Sequence, residues 1–364
     1  MDRIKSLKKL FKNILQDCLQ YVFFIKKEKN NNRVIDLEKK NQELEEKNKE
    51  EINKNIKEIL VSSRDYNPIK NIKYNIKPFR FYVSQNINRL LKENIDAFKI
   101  LNIDPKIGIE IEFYSLKNIE NIEKFYNQIF DFSKKNNIEI LNIEKERGYN
   151  QFEIQFKPYL DILKLINDYN KIKKFLLNLE NYKITFEARP FYYDVGSALQ
   201  INITLNKNEE NLFARVKENE KKQETQLLKN CVAGLLKKNN LFLQLYINSI
   251  NCLIRYDLEF CKMFYDKGKI PGPVFNNWGV NNRTCCIRIP VPKNFNDFVK
   301  YDLEDKKNRR IEFRVPSSNS DIKLAIYGVL ESLLFGIEND LEPPEPIFDN
   351  ALENIYDYEK IELI

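Results

Sequence analysis

Five segments of the chain alternate apolar and polar side chains with a period of two, and the polar positions are mostly acids, amides or arginines. Residues 108–114 set Ile109, Ile111 and Phe113 against Glu110 and Glu112. Residues 151–156 set Phe152, Ile154 and Phe156 against Gln151, Glu153 and Gln155. Residues 199–205 oppose Ile201, Ile203 and Leu205 to Gln200, Asn202 and Thr204, and residues 310–315 oppose Ile311, Phe313 and Val315 to Arg310, Glu312 and Arg314. In the fifth, 284–290, Ile287 and Ile289 flank Arg288, and Arg283 lies just before it. A period of two marks a strand with one buried and one open face.

One such strand is the ordinary wet face of an antiparallel sheet. Five in one sheet would gather Glu110, Glu112, Glu146, Glu153 and Glu312 on one surface, with Glu146 seven residues before Glu153 across the turn at 148–150. Like charges opposed across strands are destabilising, so a cation is expected among them. The chain has no histidine, which excludes imidazole bases and histidine-bound zinc. Carboxylates alone are hard oxygen donors suited to Mg²⁺ or Mn²⁺. Arg283, Arg288, Arg310 and Arg314 add permanently charged, bidentate donors for a polyphosphate or carboxylate. Together they describe a phosphoryl-transfer site that works by positioning and charge neutralisation. With 9 glycines and no GxGxxG or GxxxxGK[ST] pattern, glycine-rich phosphate loops are excluded.

The 364 residues, 43% hydrophobic and 31% charged, fit a globular chain of one large or two ordinary domains. The net charge of +7 is interspersed rather than striped, which argues against nucleic-acid binding. Cys18, Cys231, Cys252, Cys261, Cys285 and Cys286 form no CxxC pair and follow no secretory signal, so reduced thiols in a cytoplasmic protein are expected. Residues 4–25 read as an amphipathic helix, too short to span a membrane, docked on protein rather than on a lipid surface. Residues 26–58, rich in Lys, Glu and Asn, read as a solvated helix, weak coiled coil or partly disordered stretch. The expected organisation is an extension over 1–65, a strand (79–83) and helix (87–100) within 66–103, and a catalytic domain over 104–357. The expected fold is α+β: a curved antiparallel sheet of about five or six strands, with helices 158–178, 226–247 and 322–338 on its outer face.

The order of these segments resembles the catalytic domain of the glutamine synthetase family, over about residues 86 to 357. GIEIEFY at 108–114 is similar to the family's first metal strand, ERGYNQFEIQF at 146–156 to its second acidic segment, and VGSALQINITL at 195–205 to its Gly-Ser strand. NNRTCCIRIP at 281–290 is similar to the phosphate-binding arginine segment, and RRIEFRVPSSNSDIKLA at 309–325 to the closing metal-and-arginine strand. The resemblance implies that Glu112, Glu146 and Glu153 hold one metal, with Glu110, Glu312 and Gln200 around another. It implies that Asn202, Thr204, Arg283, Arg288 and Arg310 face ATP, and that Arg255 and Arg314 face the acidic substrate, with Arg283 and Arg314 acting in catalysis. The implied reaction is phosphorylation of the side-chain carboxylate of glutamate, or a similar acid, for attack by ammonia or an amine. A homo-oligomer is also implied.

The departures are specific. Gln200 and Asn202 stand where the family carries histidines, and Arg189 in EARP stands for a usual lysine. The flexible glutamate segment corresponds to KIPGPV at 269–274, with Pro271 at the aligned position. Of the nearby acids, Asp257, Glu259 or Asp266 would serve only if this loop is rebuilt. These departures give an alternative, a nucleotide- and metal-binding pseudoenzyme with a regulatory role, and a third reading in which the chain is degenerate and its acids merely solvated.

Overall fold

The computed structural model of the protein describes residues 77–191, 194–218, 221–269, 272–291, 306–353 and 357–362. The expected extension over 1–65 and Pro271 lie outside the described residues. Helix α1 (Lys77–Ile100) leads to strand β1 (Asp104–Ser115), helix α2 (Ile122–Lys135), strands β2 (Ile140–Lys145) and β3 (Gln151–Phe156), helix α3 (Ile162–Leu177) and the short β4 (Ile184–Thr185). Next come β5 (Leu199–Lys207), β6 (Glu210–Asn211), the two-stranded pair β7 (Val216–Glu218) and β8 (Lys221–Gln223), and helix α4 (Gln226–Tyr246). A 3₁₀ turn (Ile250–Tyr256), helix α5 (Leu258–Asp266), strands β9 (Trp278–Val280), β10 (Ile287–Ile289) and β11 (Ile311–Phe313), and helix α6 (Ile322–Glu338) complete the core.

The main sheet runs β2-β3-β1-β5-β11-β10-β9, with β4 paired to β1 and β6 to β5. Among the described residues it holds nine strands rather than five or six, and β9–β10 is a parallel pair in an otherwise antiparallel sheet. The additional strands are mostly two or three residues long, too short for an alternation to show in sequence. The long strands follow the period-two reading: Ile109, Ile111, Phe113, Ile154, Ile201, Ile203, Ile311 and Phe313 all point into one core. Burying each such side chain contributes roughly 1.5–3 kcal/mol, which fixes the opposite face as the polar one.

Helices α3, α4 and α6 share that core through Leu165, Ile172, Leu235, Leu243, Ile326 and Leu333. Asp161, Thr225 and Asp321 cap their amino ends, each side chain accepting a backbone N–H of the first turn. Helices α4 and α6 touch backbone to backbone at two glycines. A Cβ at Gly234 would collide with the Ser332 carbonyl, and one at Gly336 with that of Asn230.

The strand expected at 79–83 is instead the first turns of α1. A strand would put Phe79, Phe81 and Val83 on one face, but Phe81 is 55% exposed while Phe79 and Val83 pack on the core. Phe79, Val83, Ile87, Leu90 and Leu91 form a continuous helical stripe, and Pro78 sits in the first turn, where its missing N–H costs nothing. Arg80 from this helix donates to the Gln244 and Ile247 carbonyls at the end of α4, where positive charge is favoured. Among the described residues no helix is long and apolar enough to cross a membrane.

Candidate functional site

The sheet register brings the polar positions into cross-strand rows. Glu112 on β1 stands opposite Glu153 on β3, which stands opposite Glu144 on β2. Glu110 stands between Gln155 and Gln200. Asn202, Glu312 and Arg288 form a third row across β5, β11 and β10. Glu146 lies just beyond β2, held by its N–H to the Gln151 carbonyl at 2.8 Å.

The two ends of this face differ in how their charge is balanced. At the β11–β10 end, Glu312 is gripped by two guanidiniums, Arg288 Nη1 to Oε2 and Arg314 Nη1 to Oε1, both at 2.7 Å. Burial resists ionisation of Glu312, but Arg314, Arg288 and Arg310 outweigh it and hold the carboxyl below the usual range. At the β1–β3–β2 end no arginine among the described residues forms an ion pair with the acids, and their hydrogen-bond partners are amides and backbone N–H groups. Gln200 Nε2 donates to Glu112 (2.9 Å) and Glu153 (3.3 Å), and Gln155 Nε2 donates to Glu153 (2.7 Å) and Glu144 (3.1 Å). Ala198 N–H and Gln151 Nε2 complete the partners of Glu112, at 2.9 and 3.4 Å.

Burial therefore dominates at this end. It pushes Glu112 up to about 7, helped by the charge of Glu146, and raises Glu153 well above its usual value, helped by Glu110 and Glu112. Glu110 is also raised, by burial and by Glu312. Carboxyls whose proton affinity is raised by burial and by one another are what a hard divalent cation relieves, and the donor set is all oxygen. Ligand oxygens of Glu144, Glu146 and Glu153 lie within 4.8 Å of one another, a spacing that one ion can bridge. The residues present thus fit a Mg²⁺ or Mn²⁺ ion.

The arginines fit an anion. Among the described residues the buried Nε–H groups of Arg255, Arg288 and Arg314 have no acceptor, and an orphaned buried donor of this kind costs about 1–3 kcal/mol. Arg255 is buried and donates through Nη1 to the Val315 and Pro316 carbonyls, at 3.1 and 3.3 Å, where the chain leaves β11. Arg310 is half-buried, with Nε on Asn202 Oδ1 at 2.8 Å. Arg283 is exposed, close enough for its charge to bear on Arg288. Thr204 lies at the edge of the face, accepting from Asn206.

Gln200 has a geometry that its residue type leaves open. Its amino end faces Glu112 and Glu153, and its oxygen accepts from Arg314 at 2.8 Å. The oxygen, the only end able to ligate a cation, is engaged by a guanidinium. Asn202 repeats the pattern, with its amino group on Glu110 at 2.9 Å and its oxygen on Arg310.

Helix α5 and the turn at residues 267–268 precede this segment, of which residues 270 and 271 lie outside the described residues. Asp257 caps that helix at Phe260 N–H, and Glu259 and Asp266 are exposed, so these acids serve the helix and the surface. Arg189 stacks on Phe260 of α5. A different acid reaches this region: Asp194, nearly fully buried, accepts from Lys269 Nζ at 2.6 Å and from the backbone N–H groups of Tyr149 and Val195. Sequence reasoning passed over Asp194 because it precedes its strand, outside any alternation. It also passed over Glu144, although Glu144 and Glu146 are two apart in IEKE, the spacing that puts both on one side of an extended chain.

A family model described as "Glutamine synthetase, catalytic domain" matches residues 79–362. Gamma-glutamylputrescine synthetase of Escherichia coli K12 is 25% identical over 249 residues, 66% of this chain and 47% of that protein. A glutamine synthetase of Thermotoga maritima is 25% identical over 244 residues, covering 65% and 49%, and a glutamate–methylamine ligase of Methyloversatilis universalis is 23% identical over 268 residues, covering 73% and 55%. The chain thus spans about half the length of these curated relatives. A solved structure described as a GmaS/ADP complex has a TM-score of 0.60 at 16% identity, covering 76% of this chain and 65% of that one, a likeness of fold.

Proposed function

The chain belongs to the glutamine synthetase family, and from that premise we propose that it is an ATP- and divalent-metal-dependent ligase joining an amine to the side-chain carboxylate of glutamate or a similar acid. The observation that carries this reading is the split polarity of one sheet face: buried, uncompensated carboxylates at one end and arginines with unfilled buried donors at the other. In this reading Glu112, Glu146 and Glu153, with Glu144 beside them, hold one cation, and Glu110 and Glu312 face a second. Such ions, when bound, neutralise phosphate charge and polarise the transferred phosphoryl group. Arg283, Arg288 and Arg310 bind the phosphates of ATP, and Arg255 and Arg314 orient the acid.

The acid's carboxylate oxygen attacks the γ-phosphorus and the bond to the bridging oxygen breaks, giving an acyl phosphate and ADP. The amine nitrogen then attacks the acyl carbon, the bond to the phosphate oxygen breaks and phosphate departs, and the nitrogen loses a proton to solvent to leave an amide. Arg314 is suited to the charge that develops on the acyl oxygen, because its side chain is already held by Gln200 and Glu312. An organic amine is preferred over ammonia in this reading. The loop acid expected for handling ammonium aligns with proline, and two relatives are named for putrescine and methylamine. Those relatives are named as ligases, which gives the binding-only alternative no support.

The test is ADP and phosphate release by the purified chain with Mg²⁺ or Mn²⁺, ATP and glutamate, across ammonia, methylamine, putrescine and hydroxylamine. Amine-dependent release, with the γ-glutamyl amide seen by mass spectrometry, is expected. Release with no amine in the panel would sink the proposal.

A further inference from the structure

Two hydrogen-bonded bridges cross the polar face in parallel. From β1 to β11, the first runs Glu112, Gln200, Arg314 and the second Glu110, Asn202, Arg310. Their register is the same at the acid end: Gln200 pairs with Glu110 but reaches to Glu112, and Asn202 pairs with Gly108 but reaches to Glu110. In both, the amide donates to the acidic side, Gln200 to two carboxylates and Asn202 to one, and accepts from an arginine on the basic side. Gln200 is 5% exposed and Asn202 7%, so water is largely excluded from competing with either bridge. A primary amide is a side chain that donates at one end, accepts at the other and stays neutral at every working pH.

We infer that Gln200 and Asn202 are positioning residues rather than metal ligands, each fixing one arginine at the substrate end to one carboxylate at the metal end. Gln200 holds Arg314 for the acid, and Asn202 holds Arg310 for the nucleotide. A rotation of Gln200 that turned its oxygen toward a cation would strand the Arg314 donor and point the amino group at a guanidinium. The arrangement that satisfies both neighbours keeps the oxygen away from metal. The roles given to the arginines rest on the proposed function; the bridges themselves do not.

The experiment compares wild type with Gln200→Met, Gln200→Glu and Asn202→Leu, using Mn²⁺ alone as the probe in equilibrium binding followed by electron paramagnetic resonance. Met keeps the length of the side chain and removes both hydrogen-bonding ends; Glu keeps the acceptor for Arg314 and removes the donor. The bridge predicts that Gln200→Met binds as many Mn²⁺ ions per chain as wild type, with affinity weakened by about tenfold as for other partners of ligating carboxylates. Loss of one ion from the count in Gln200→Met would overturn the inference. Melting of the metal-free protein gives a second readout: Gln200→Glu, which sets a third carboxylate against Glu112 and Glu153, should melt below Gln200→Met. Equal melting of the two variants would count against the bridge.

Steady-state kinetics separate positioning from general structural damage. Gln200→Met should raise KM for the acid by about tenfold while leaving KM for ATP near wild type, Asn202→Leu should do the converse, and Gln200→Glu should restore KM for the acid. Equal rises in both constants in both variants would reduce the residues to structural ones. If wild type shows no turnover with any amine, the proposed function fails, and the Mn²⁺ count and metal-free melting alone decide the bridges.

Discussion

Glu112 and Glu153 stand directly opposite each other on β1 and β3, and they share the amino group of Gln200 as a hydrogen-bond donor. Two buried carboxyls in register, bridged by a neutral amide, form a place where a proton or a metal ion must supply the missing positive charge. The consequences for pH, metal, anion binding and packing follow from that balance.

Stability of the metal-free protein should fall as pH rises from about 4.5 to about 7. Burial raises Glu112 to about 7, and Glu110 and Glu153 also move up, so in this window the folded chain holds more protons than the unfolded one. The stabilisation is complete below the unfolded value and lost as pH passes the folded one. Thermal melts at pH 5, 6, 7 and 8 check this: the gap between wild type and Glu112→Gln should change in favour of the variant as pH rises. A gap independent of pH would contradict it.

Glu153→Gln should lower Mn²⁺ affinity by roughly 100-fold and abolish the stabilisation that Mn²⁺ gives at pH 8. The magnitude is what disturbing a metal's surroundings commonly costs. Because Gln keeps the volume of Glu153 and removes a buried charge, at the cost of one of its two accepted hydrogen bonds, the metal-free fold should survive, and its circular dichroism should match wild type. Isothermal titration with Mn²⁺ is the check, and wild-type affinity would reject Glu153 as a ligand.

Arg314→Lys should reduce kcat/KM for the acid by roughly 100-fold or more, the scale of losing one preorganised donor to developing charge. Arg314 spends Nη1 on both Gln200 and Glu312, which leaves its other guanidinium donors for the substrate; an ammonium that made those two contacts would keep a single hydrogen and no planar fork. Initial rates over a range of acid concentrations would show it, and a loss confined to KM for ATP would contradict the assignment.

Gly234→Ala should destabilise the fold by about 1–3 kcal/mol, because the added methyl meets the Ser332 carbonyl where α4 and α6 cross. Gly268→Ala is the control for crowding: nothing lies near its Cβ direction, although its φ of 70° still favours glycine. Urea unfolding of both variants should place the larger loss at Gly234.

Arg309→Met should cost about 3–5 kcal/mol, since it leaves Glu224 without the fully buried guanidinium that it pairs with. The double variant Arg309→Met with Glu224→Leu should recover most of that loss. Chemical unfolding of the pair of variants measures the difference, and an equal loss in both would mean that packing rather than charge holds this junction.

The long strands were legible because their period of two is a property of the backbone: once Ile109, Ile111 and Phe113 are buried, Glu110 and Glu112 must face the other way. The same logic covered Glu153, Gln200 and Glu312 and the capped helices behind the sheet. It failed at Phe79 and Val83, where two apolar residues four apart and one between them suit a short strand or a helix turn, and contact with the core chose the helix. It also could not see the short strands, or Asp194 outside any repeat.

The sequence by itself determined which residues share the polar face and that their chemistry is that of carboxylates, amides and arginines without imidazole. Tertiary structure decided how that chemistry is divided. Arg314 is two residues along from Glu312, but strand order puts β10 beside β11, so that Glu312 also meets Arg288 and its carboxyl is held below the usual range, while Glu112 and Glu153 lie on the other side of Gln200 with amides for partners. Identical carboxyl groups acquire opposite proton affinities because Coulomb energy depends on which charges lie within a few ångströms and on how much water is excluded, and neither quantity is written along a single strand.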